Sequence, residues 1–138
     1  MRVRRVAAAL VIALLVSACG SAEPYEEALD ALGLPDTWER TSRESLTHAD
    51  RNCSIMSGPS CPRVTDTYTV DVEVADAHQQ ARQAIEDLGL QVIIEVDDCQ
   101  GRRSDCRVTG QDDRRLVQVV IDARDLPVIA RATSHRAS

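Results

Sequence analysis

The chain has 138 residues, which is enough for one domain at roughly 100–200 residues per domain. Hydrophobic residues make up 43% and charged residues 28% of the chain, so the composition excludes a disordered tail and a collagen-like fibre. The 22 acidic residues outnumber the 16 basic ones and give a formal net charge of −6. This balance argues against a nucleic-acid-binding protein, because such proteins present a basic face.

The first residues have the pattern of an export signal. Basic side chains stand at Arg2, Arg4 and Arg5. They precede an unbroken apolar run of 11 residues, Val6 to Val16. As a helix, such a run reaches about 16 Å, roughly half of the ~30 Å hydrocarbon core, and is too short for a permanent membrane span. We therefore expect residues 1–18 to be a signal peptide.

The end of this run resembles the lipobox of bacterial lipoproteins. Val16 occupies the aliphatic position, and Ser17 and Ala18 occupy the small positions. Cys19 occupies the position of the cysteine that is lipidated on its sulfur and becomes the first residue after cleavage. The resemblance is to small lipoproteins of high-GC Gram-positive bacteria, the actinobacterial type. It implies a palmitate-type anchor on the extracytoplasmic side of the cell membrane and implies no activity. The alternative is an ordinary secretory signal with a chance cysteine.

The number and spacing of the cysteines agree with this interpretation. The chain has five cysteines, and an odd count in an exported protein requires an explanation. If Cys19 carries lipid, the other four can pair. Two local disulfides, Cys53–Cys61 and Cys99–Cys106, are favoured among the three possible connectivities. A zinc site is disfavoured because the spacing is not of the CxxC type and no histidine stands beside either pair.

The expected domain boundaries follow from these assignments. Residues 19–23 are expected to be the lipidated N-terminus and a spacer. The segment from Gly20 to Pro24 spans at most about 17 Å when extended, so the folded part would lie close to the membrane. Residues 24–123 are expected to form a single α+β domain. Residues 124–138 lack a clear hydrophobic period and are expected to be a loose C-terminal tail. The alternative is a last short strand formed by Leu126, Val128 and Ile129.

Two segments have helical patterns with terminal signals. Residues 24–32 begin with Pro24 in the first turn and are followed by Gly33. Residues 76–88 begin with Asp76 as the expected N-cap, and their apolar residues fall on one stripe at helical spacing. Gly89 follows this second segment at the position that favours a left-handed residue.

Alternating patterns predict strands. Apolar and polar residues alternate over residues 67–74, 91–97 and 116–122. Residues 37–46 form a weaker edge strand with Trp38 and Leu46 on one face, and residues 106–109 can pair with 116–122 across a turn. The sequence thus predicts an antiparallel sheet of four to five strands with two helices on one face and two local disulfides.

A faint internal similarity supports this order of elements. Residues 28–34 resemble residues 84–90 in character, 56 positions later. Each copy is the end of a helix that precedes a strand, a Cys-closed loop and another strand. The similarity is equally consistent with nothing more than two helices that end in the same way.

No motif predicts catalysis. The histidines are His48, His78 and His135, and the sequence contains no GxSxG-type nucleophile turn with which one of them could act. His78 is expected to face solvent beside the apolar stripe of its helix. The acidic pairs Asp97–Asp98 and Asp112–Asp113 do not fit the EF-hand spacing, so no metal site is expected, although calcium binding stays open as an alternative.

The polar sides of the predicted strands form a candidate binding face. If the valine sides of the strands meet the helices, an acidic and polar surface lies on the opposite face of the sheet. Its members are Thr69, Asp71, Glu73, Glu95, Asp97 and Gln118. Such a face suits a cationic or carbohydrate-bearing partner. It is also what a solvated antiparallel sheet presents without any function.

The sequence therefore predicts a non-catalytic binding or accessory module of the cell envelope. The lipid would hold the protein to the membrane, and a protein or glycan of the envelope would be its partner. No cofactor and no nucleic acid are expected. The alternatives are a small envelope enzyme with a site built from scattered Asp, Glu and Ser side chains, and a calcium-stabilised module with an acidic site.

Overall fold

The computed structural model describes residues 21–47, 61–99, 106–124 and 126–137. These residues form two helices and six strands: α1 (Glu23–Asp30), β1 (Trp38–Leu46), β2 (Arg63–Val70), α2 (Val74–Asp87), β3 (Gln91–Val96), β4 (Cys106–Gln111), β5 (Arg115–Asp122) and β6 (Val128–Arg136). All strands belong to one antiparallel sheet in the order β1-β2-β6-β5-β4-β3. The predicted α+β class is confirmed, but the sheet has six strands instead of four to five.

Both helices pack on the same face of the sheet, as predicted. Helix α1 lies against β6, β2 and β5, whereas α2 lies against β4, β3 and β5. The covered face presents a continuous set of fully buried side chains: Val64, Val108, Val117, Val119, Ile121, Ala130 and Ala132. Together with Ala77, Ala81 and Ile85 of α2 they form one hydrophobic core. Burial of this apolar surface is the main force that holds the layers together.

The expected order of elements is present at both edges of the sheet. The hairpin β1–β2 follows α1 at one edge, and the hairpin β3–β4 follows α2 at the other. Strands β5 and β6 fill the space between the two units. The similarity between residues 28–34 and 84–90 therefore corresponds to two helix–strand–strand units.

The prediction that residues 124–138 form a loose tail is wrong. Strand β6 lies inside the sheet, hydrogen-bonded to β2 on one side and β5 on the other. Its inward side chains are small: Val128, Ala130, Ala132 and Ser134. Alanine and serine give a weak strand signal in a sequence, because strand preference depends on large side chains packing on a pleated surface. Here the small side chains let α1 pack close to the strand.

The strand predicted over residues 67–74 ends earlier. Strand β2 ends at Val70, and α2 begins at Val74 with Glu73 as its N-cap. Asp76, the expected N-cap, lies instead in the first turn of the helix. Val74 continues the alternating pattern of the strand, but it is half-buried against the core from its position in the helix. Alternation alone could not show where the strand stops.

A β-bulge in β3 reverses the expected faces of this strand. Val92 pairs with Gly110 on the helix-covered side, but the register shifts between Val92 and Ile94. After the shift, Glu95 pairs with Val108 on the helix-covered side, and Ile94 lies on the opposite side. One extra residue in a strand exchanges its two faces, and the sequence pattern did not reveal the bulge.

A second bulge separates Trp38 from Leu46 in β1. The register shifts between Arg40 and Ser42. Trp38 pairs with Val70 on the helix-covered side, whereas Leu46 pairs with Arg63 on the other. The prediction that Trp38 and Leu46 share one face is therefore wrong. The prediction that β1 is an edge strand is confirmed.

The disulfide Cys99–Cys106 is confirmed. It joins the chain after β3 to the first residue of β4, with a Cα–Cα distance of 4.7 Å. Cys53 lies outside the described residues, so the Cys53–Cys61 disulfide stays a prediction. Cys19 and the predicted signal peptide also lie outside the described residues.

Backbone conformation at one position and close packing at another require glycine. Gly89, which follows the C-cap of α2, has a positive φ of 80° as predicted. Gly110 of β4 lies directly beneath α2. A Cβ at Gly110 would stand 2.3 Å from Cγ2 of Ile85 and 3.0 Å from Cβ of Leu90. Because Gly110 has no side chain, α2 can lie this close to the sheet.

We predict that Gly110→Ala destabilises the fold by about 1–3 kcal/mol, because the new methyl group overpacks the contact with Ile85. Urea unfolding followed by circular dichroism measures the change. Gly33→Ala is the control, since no heavy atom lies within 4 Å of its added Cβ. Equal stability of the two variants would contradict the close packing. Ile85→Ala in the Gly110→Ala background should relieve the overlap, so its own cost should be smaller than in the wild type.

Candidate functional site

The structure does not bring the six residues of the predicted binding face together. Thr69 and Gln118 do lie on the open face, which is the side of the sheet that neither described helix covers. Asp71 and Glu73 lie in the link between β2 and α2. The predicted face therefore loses these two acids, because the strand that was expected to carry them ends at Val70.

The other two members lie at the edge of the sheet beside α2. The bulge in β3 turns Glu95 toward the helix, where an Arg82 nitrogen lies 3.4 Å from its carboxylate. His78 of α2 also faces Glu95, with Nε2 at 3.9 Å from Oε1. Asp97 follows β3 directly. Glu95 is thus engaged by α2, whereas Asp97 stands exposed at the end of the strand.

The open face is polar but not acidic. Its centre has the hydroxyls of Thr65 and Thr133 at 3.1 Å from each other, and the amide of Gln118 donates to the hydroxyl of Thr109 at 3.1 Å. These bonds are consistent with the ordinary polar side of an antiparallel sheet. The half-buried Val120 pairs with the exposed Arg131 on the same face, so its surface is mixed in character.

Acidic side chains collect instead at one end of the sheet. Strands β2, β3 and β5 all end there, and α2 begins there. We call this region the acidic end; its members are Asp36, Asp71, Glu73, Asp76, Asp97, Asp98 and Asp122. All of them are exposed except Asp122, which is half-buried. The antiparallel order explains the cluster, since it brings alternate strand ends to the same side.

Only one acid of this cluster is paired with a cation in the described structure. Arg124 bonds the carboxylate of Asp122 through Nε at 2.9 Å and also through Nη2. These side-chain bonds and the Arg124 backbone N–H lower the pKa of Asp122 to about 2. The other acids form no ion pair with a side chain of the described ranges. The acidic end therefore produces an electrostatic field that attracts cations.

A hollow of about 410 Å³ opens within the acidic end. Its lining residues are Ala75, His78, Asp97, Asp98 and Cys99. His78 is 8% exposed, so the prediction that it faces solvent is wrong. His78 lies beside the buried stripe of α2, and its ring is covered because it faces Glu95 of the edge strand β3. The Nε2 atom of His78 is buried and has no hydrogen-bond partner among the described residues.

Two exposed carboxylates and one disulfide sulfur stand in the wall of this hollow. The carboxylates of Asp97 and Asp98 accept no hydrogen bond and form no ion pair in the described part of the chain. The one sulfur in the wall, from Cys99, is held in the disulfide with Cys106 and is not a thiol nucleophile. A cation that enters the hollow gains two carboxylates without displacing an existing ion pair.

Metal coordination finds no support in the described ranges. They contain no group of three or more His, Cys, Asp or Glu side chains placed to hold a metal ion. Asp97 and Asp98 alone are too few ligands for calcium, which takes six to eight oxygens. Separately, no helix of these ranges is long and apolar enough to cross a membrane.

A second hollow, of about 510 Å³, lies at the opposite end of the sheet. Residues 24, 25 and 27 of α1 line it together with residues 112–115 of the β4–β5 turn. Asp112 is fixed there by the backbone N–H groups of Arg114 and Arg115, each at 2.8 Å. Burial alone would raise the pKa of Asp112, but these bonds hold it below its usual value of 3.8. This end therefore carries charges of both signs.

A polar cluster centred on Asp66 is buried under α1 and is closed to ligands. Asp66 of β2 is 0% exposed, and Arg43 of β1 donates a hydrogen bond to each of its carboxylate oxygens at 2.7 Å. Tyr68 donates its hydroxyl to the same carboxylate at 3.2 Å. Burial and the nearby Asp66 charge raise the pKa of Tyr68. The hydrogen bonds that Arg43 donates to Asp66, and then to Asp30, raise the pKa of Arg43, so its guanidinium stays charged.

The same guanidinium connects the sheet to the first helix. Arg43 bonds Asp30 of α1 at 2.8 Å, and Arg40 bonds the same oxygen at 3.2 Å. These bonds lower the pKa of Asp30. The cluster is structural, because its most buried member cannot reach solvent.

Comparisons with known proteins assign no family. No protein-family model, no curated protein and no solved structure matches the chain. The residues and geometry described above are thus the basis for the function.

Sequence reasoning missed the acidic end although a signal was present. An acid directly follows or ends three strands: Asp71 after β2, Asp97 after β3 and Asp122 in β5. In a sheet of known strand order these positions map to one end. The strand order itself depended on β6, which the sequence pattern did not predict.

We predict that Arg43→Met destabilises the fold by about 3 kcal/mol, because it leaves the buried carboxylate of Asp66 without its main partner. Urea unfolding measures the loss. Arg82→Met is the matched control: it removes a guanidinium that pairs with Glu86 and Glu95 at the surface, and exposed pairs contribute little. A cost for Arg43→Met no larger than that of the control would contradict a structural role for the cluster.

Stability should also fall in acid. The folded pKa of Asp122 is about 2, against 3.8 without its partners, so its contribution is present above pH 4 and is lost as the pH falls through 2. Asp30 acts in the same direction. Thermal melting at a series of pH values tests this. Asp122→Asn should reduce the fall of the melting temperature in acid, whereas the melting temperature of Asp113→Asn, at an exposed position of the β4–β5 turn, should fall as that of the wild type does. An equal fall in the wild type and both variants would contradict the contribution of Asp122.

Proposed function

We propose that this chain is a lipid-anchored, extracytoplasmic binding module that docks a basic segment of another cell-envelope protein on its acidic end. The module is non-catalytic in this proposal. The observation that carries the docking site is the set of exposed acids at one end of the sheet, with a hollow in which no described side chain pairs with Asp97 or Asp98. The anchor is supported by the lipobox pattern at Cys19.

The cysteines support the extracytoplasmic location. The disulfide Cys99–Cys106 is typical of proteins outside the reducing cytoplasm. We include the Cys53–Cys61 disulfide in the proposal, because it leaves Cys19 as the one cysteine available for lipid. The apolar run of residues 6–16 is too short for a permanent span, so an acyl chain at Cys19 would replace it as the anchor.

The charge pattern favours a protein with clustered Lys or Arg over a glycan. Acidic surfaces steer cationic partners and raise their association rates at low salt. The single tryptophan, Trp38, is 5% exposed, so no indole ring is presented for stacking on a sugar. A basic peptide segment also supplies N–H donors for the exposed carboxylates of Asp97 and Asp98.

The anchor is tested by labelling cells with radioactive palmitate. The wild-type chain should incorporate label and fractionate with membranes, because the lipobox directs acylation of Cys19. Cys19→Ala should incorporate none and should leave the membrane fraction. Wild-type protein without label, or a precursor retained in the cytosol, would overturn the anchor.

Docking is tested with an octalysine peptide titrated into the protein at low salt. The variant Asp71→Asn, Asp97→Asn, Asp98→Asn should bind about tenfold more weakly, since three exposed pairs at roughly 0.5 kcal/mol each amount to about 1.5 kcal/mol. The control, Glu23→Gln, Glu27→Gln, Asp113→Asn, removes the same charge from the opposite end. Equal losses in both variants would show a response to net charge alone and would overturn the docking site. A neutral oligosaccharide that binds more tightly than octalysine would favour the glycan.

A further inference from the structure

The two ends of the domain differ in their relation to the N-terminus. We call the end opposite the acidic end the anchor end; it comprises the first turn of α1, the β4–β5 turn and the end of β6. Pro24 and Tyr25 line the same hollow as the β4–β5 turn. The N–H of Ala137 donates to the carbonyl of Arg114 at 3.2 Å, which brings the chain after β6 to the same place. The described chain therefore enters the fold at the anchor end.

Helix α1 runs from the anchor end toward the acidic end, and side-chain bonds fix this direction. Near its start, Glu26 accepts a bond from Ser45 in the last part of β1 at 2.7 Å. Its last residue, Asp30, is bonded by Arg43 and Arg40 farther along the sheet. The chain then passes to Trp38, which begins β1 at the acidic end.

The possible length of the tether is short compared with the domain. The stretch from Gly20 to Pro24 spans at most about 17 Å. The eight residues of β2 connect the two ends of the sheet and cover roughly 27 Å. A lipid at Cys19 thus cannot lie beside the acidic end while α1 keeps its place in the fold.

Resting on the proposed lipid anchor, we infer that the anchor end abuts the lipid headgroups and that the acidic end is displayed on the side away from the membrane. The charges favour the same orientation by contrast between the two ends. The anchor end carries both signs, because Arg63, Arg114 and Arg136 lie there together with Glu23, Glu27 and Asp113, so anionic headgroups repel it less than they repel the acidic end. The exposed acids of the opposite end are repelled by the same lipids. The partner's basic segment then approaches from the cell-wall side.

The single tryptophan makes this orientation measurable. Trp38 pairs with Val70 at the acidic end, and its Nε1 donates to Gln80 at 2.8 Å, so its position is fixed. The lipidated protein is placed in phosphatidylcholine vesicles that contain a dansyl-labelled lipid, and energy transfer from tryptophan to dansyl is recorded. Trp38 should transfer weakly. A variant with Trp38→Phe and Tyr25→Trp moves the donor to the anchor end and should transfer several-fold more strongly.

Two further measurements make the result decisive. Circular dichroism checks that the Tyr25→Trp variant is folded, and Arg114→Trp in the Trp38→Phe background supplies a second donor at the anchor end. The mass of the N-terminal peptide shows whether the sample carries lipid. An unlipidated sample refutes the anchor itself. In lipidated samples, transfer from Trp38 equal to or stronger than that from the anchor-end donors, or no transfer from any donor, would overturn the orientation while the anchor stands.

Discussion

The contact between Arg43 and the buried Asp66 carboxylate determines how the first helix sits on the sheet. A buried carboxylate is stable only when it is paired and hydrogen-bonded, and Arg43 and Tyr68 supply that partnership. Because the same guanidinium also holds Asp30, the direction of α1 is fixed relative to β1 and β2. The end of the sheet at which the described chain enters the fold follows from this contact.

The helix-covered face of the sheet explains how two helices fit on six strands. Small residues lie beneath the helices: Ala130, Ala132 and Ser134 on β6, and Gly110 on β4. They let the helices approach closely, as native packing density requires. With β6 inside the sheet, the antiparallel order brings the ends of β2, β3 and β5 to one side. The acids that follow these strands become a single charged surface as a consequence of that order.

Local signals in the sequence predicted much of the fold. The apolar stripe and Gly89 identified α2, and the short spacing identified the Cys99–Cys106 disulfide. Features that depend on tertiary contacts were missed. The alanines of β6 carry little strand preference, and the bulge that turns Glu95 toward His78 leaves no mark in an alternating pattern. The six residues of the predicted binding face are divided between the open face, the link between β2 and α2, and the edge beside α2. Their positions depend on where β2 ends and on the bulge in β3, which the sequence pattern does not show. The predictions of a signal peptide, a lipid anchor and a protein or glycan partner stay predictions.

The most direct test of docking through the acidic end is photo-crosslinking in intact cells. A photoreactive amino acid is placed at Asp98 or, as a matched position at the other end, at Asp113. We expect the probe at Asp98 to capture an envelope protein through a peptide rich in Lys and Arg, in a salt-sensitive manner, and the probe at Asp113 not to capture it. The same partners from both positions, or membrane lipid captured from Asp98, would contradict a binding surface at the acidic end.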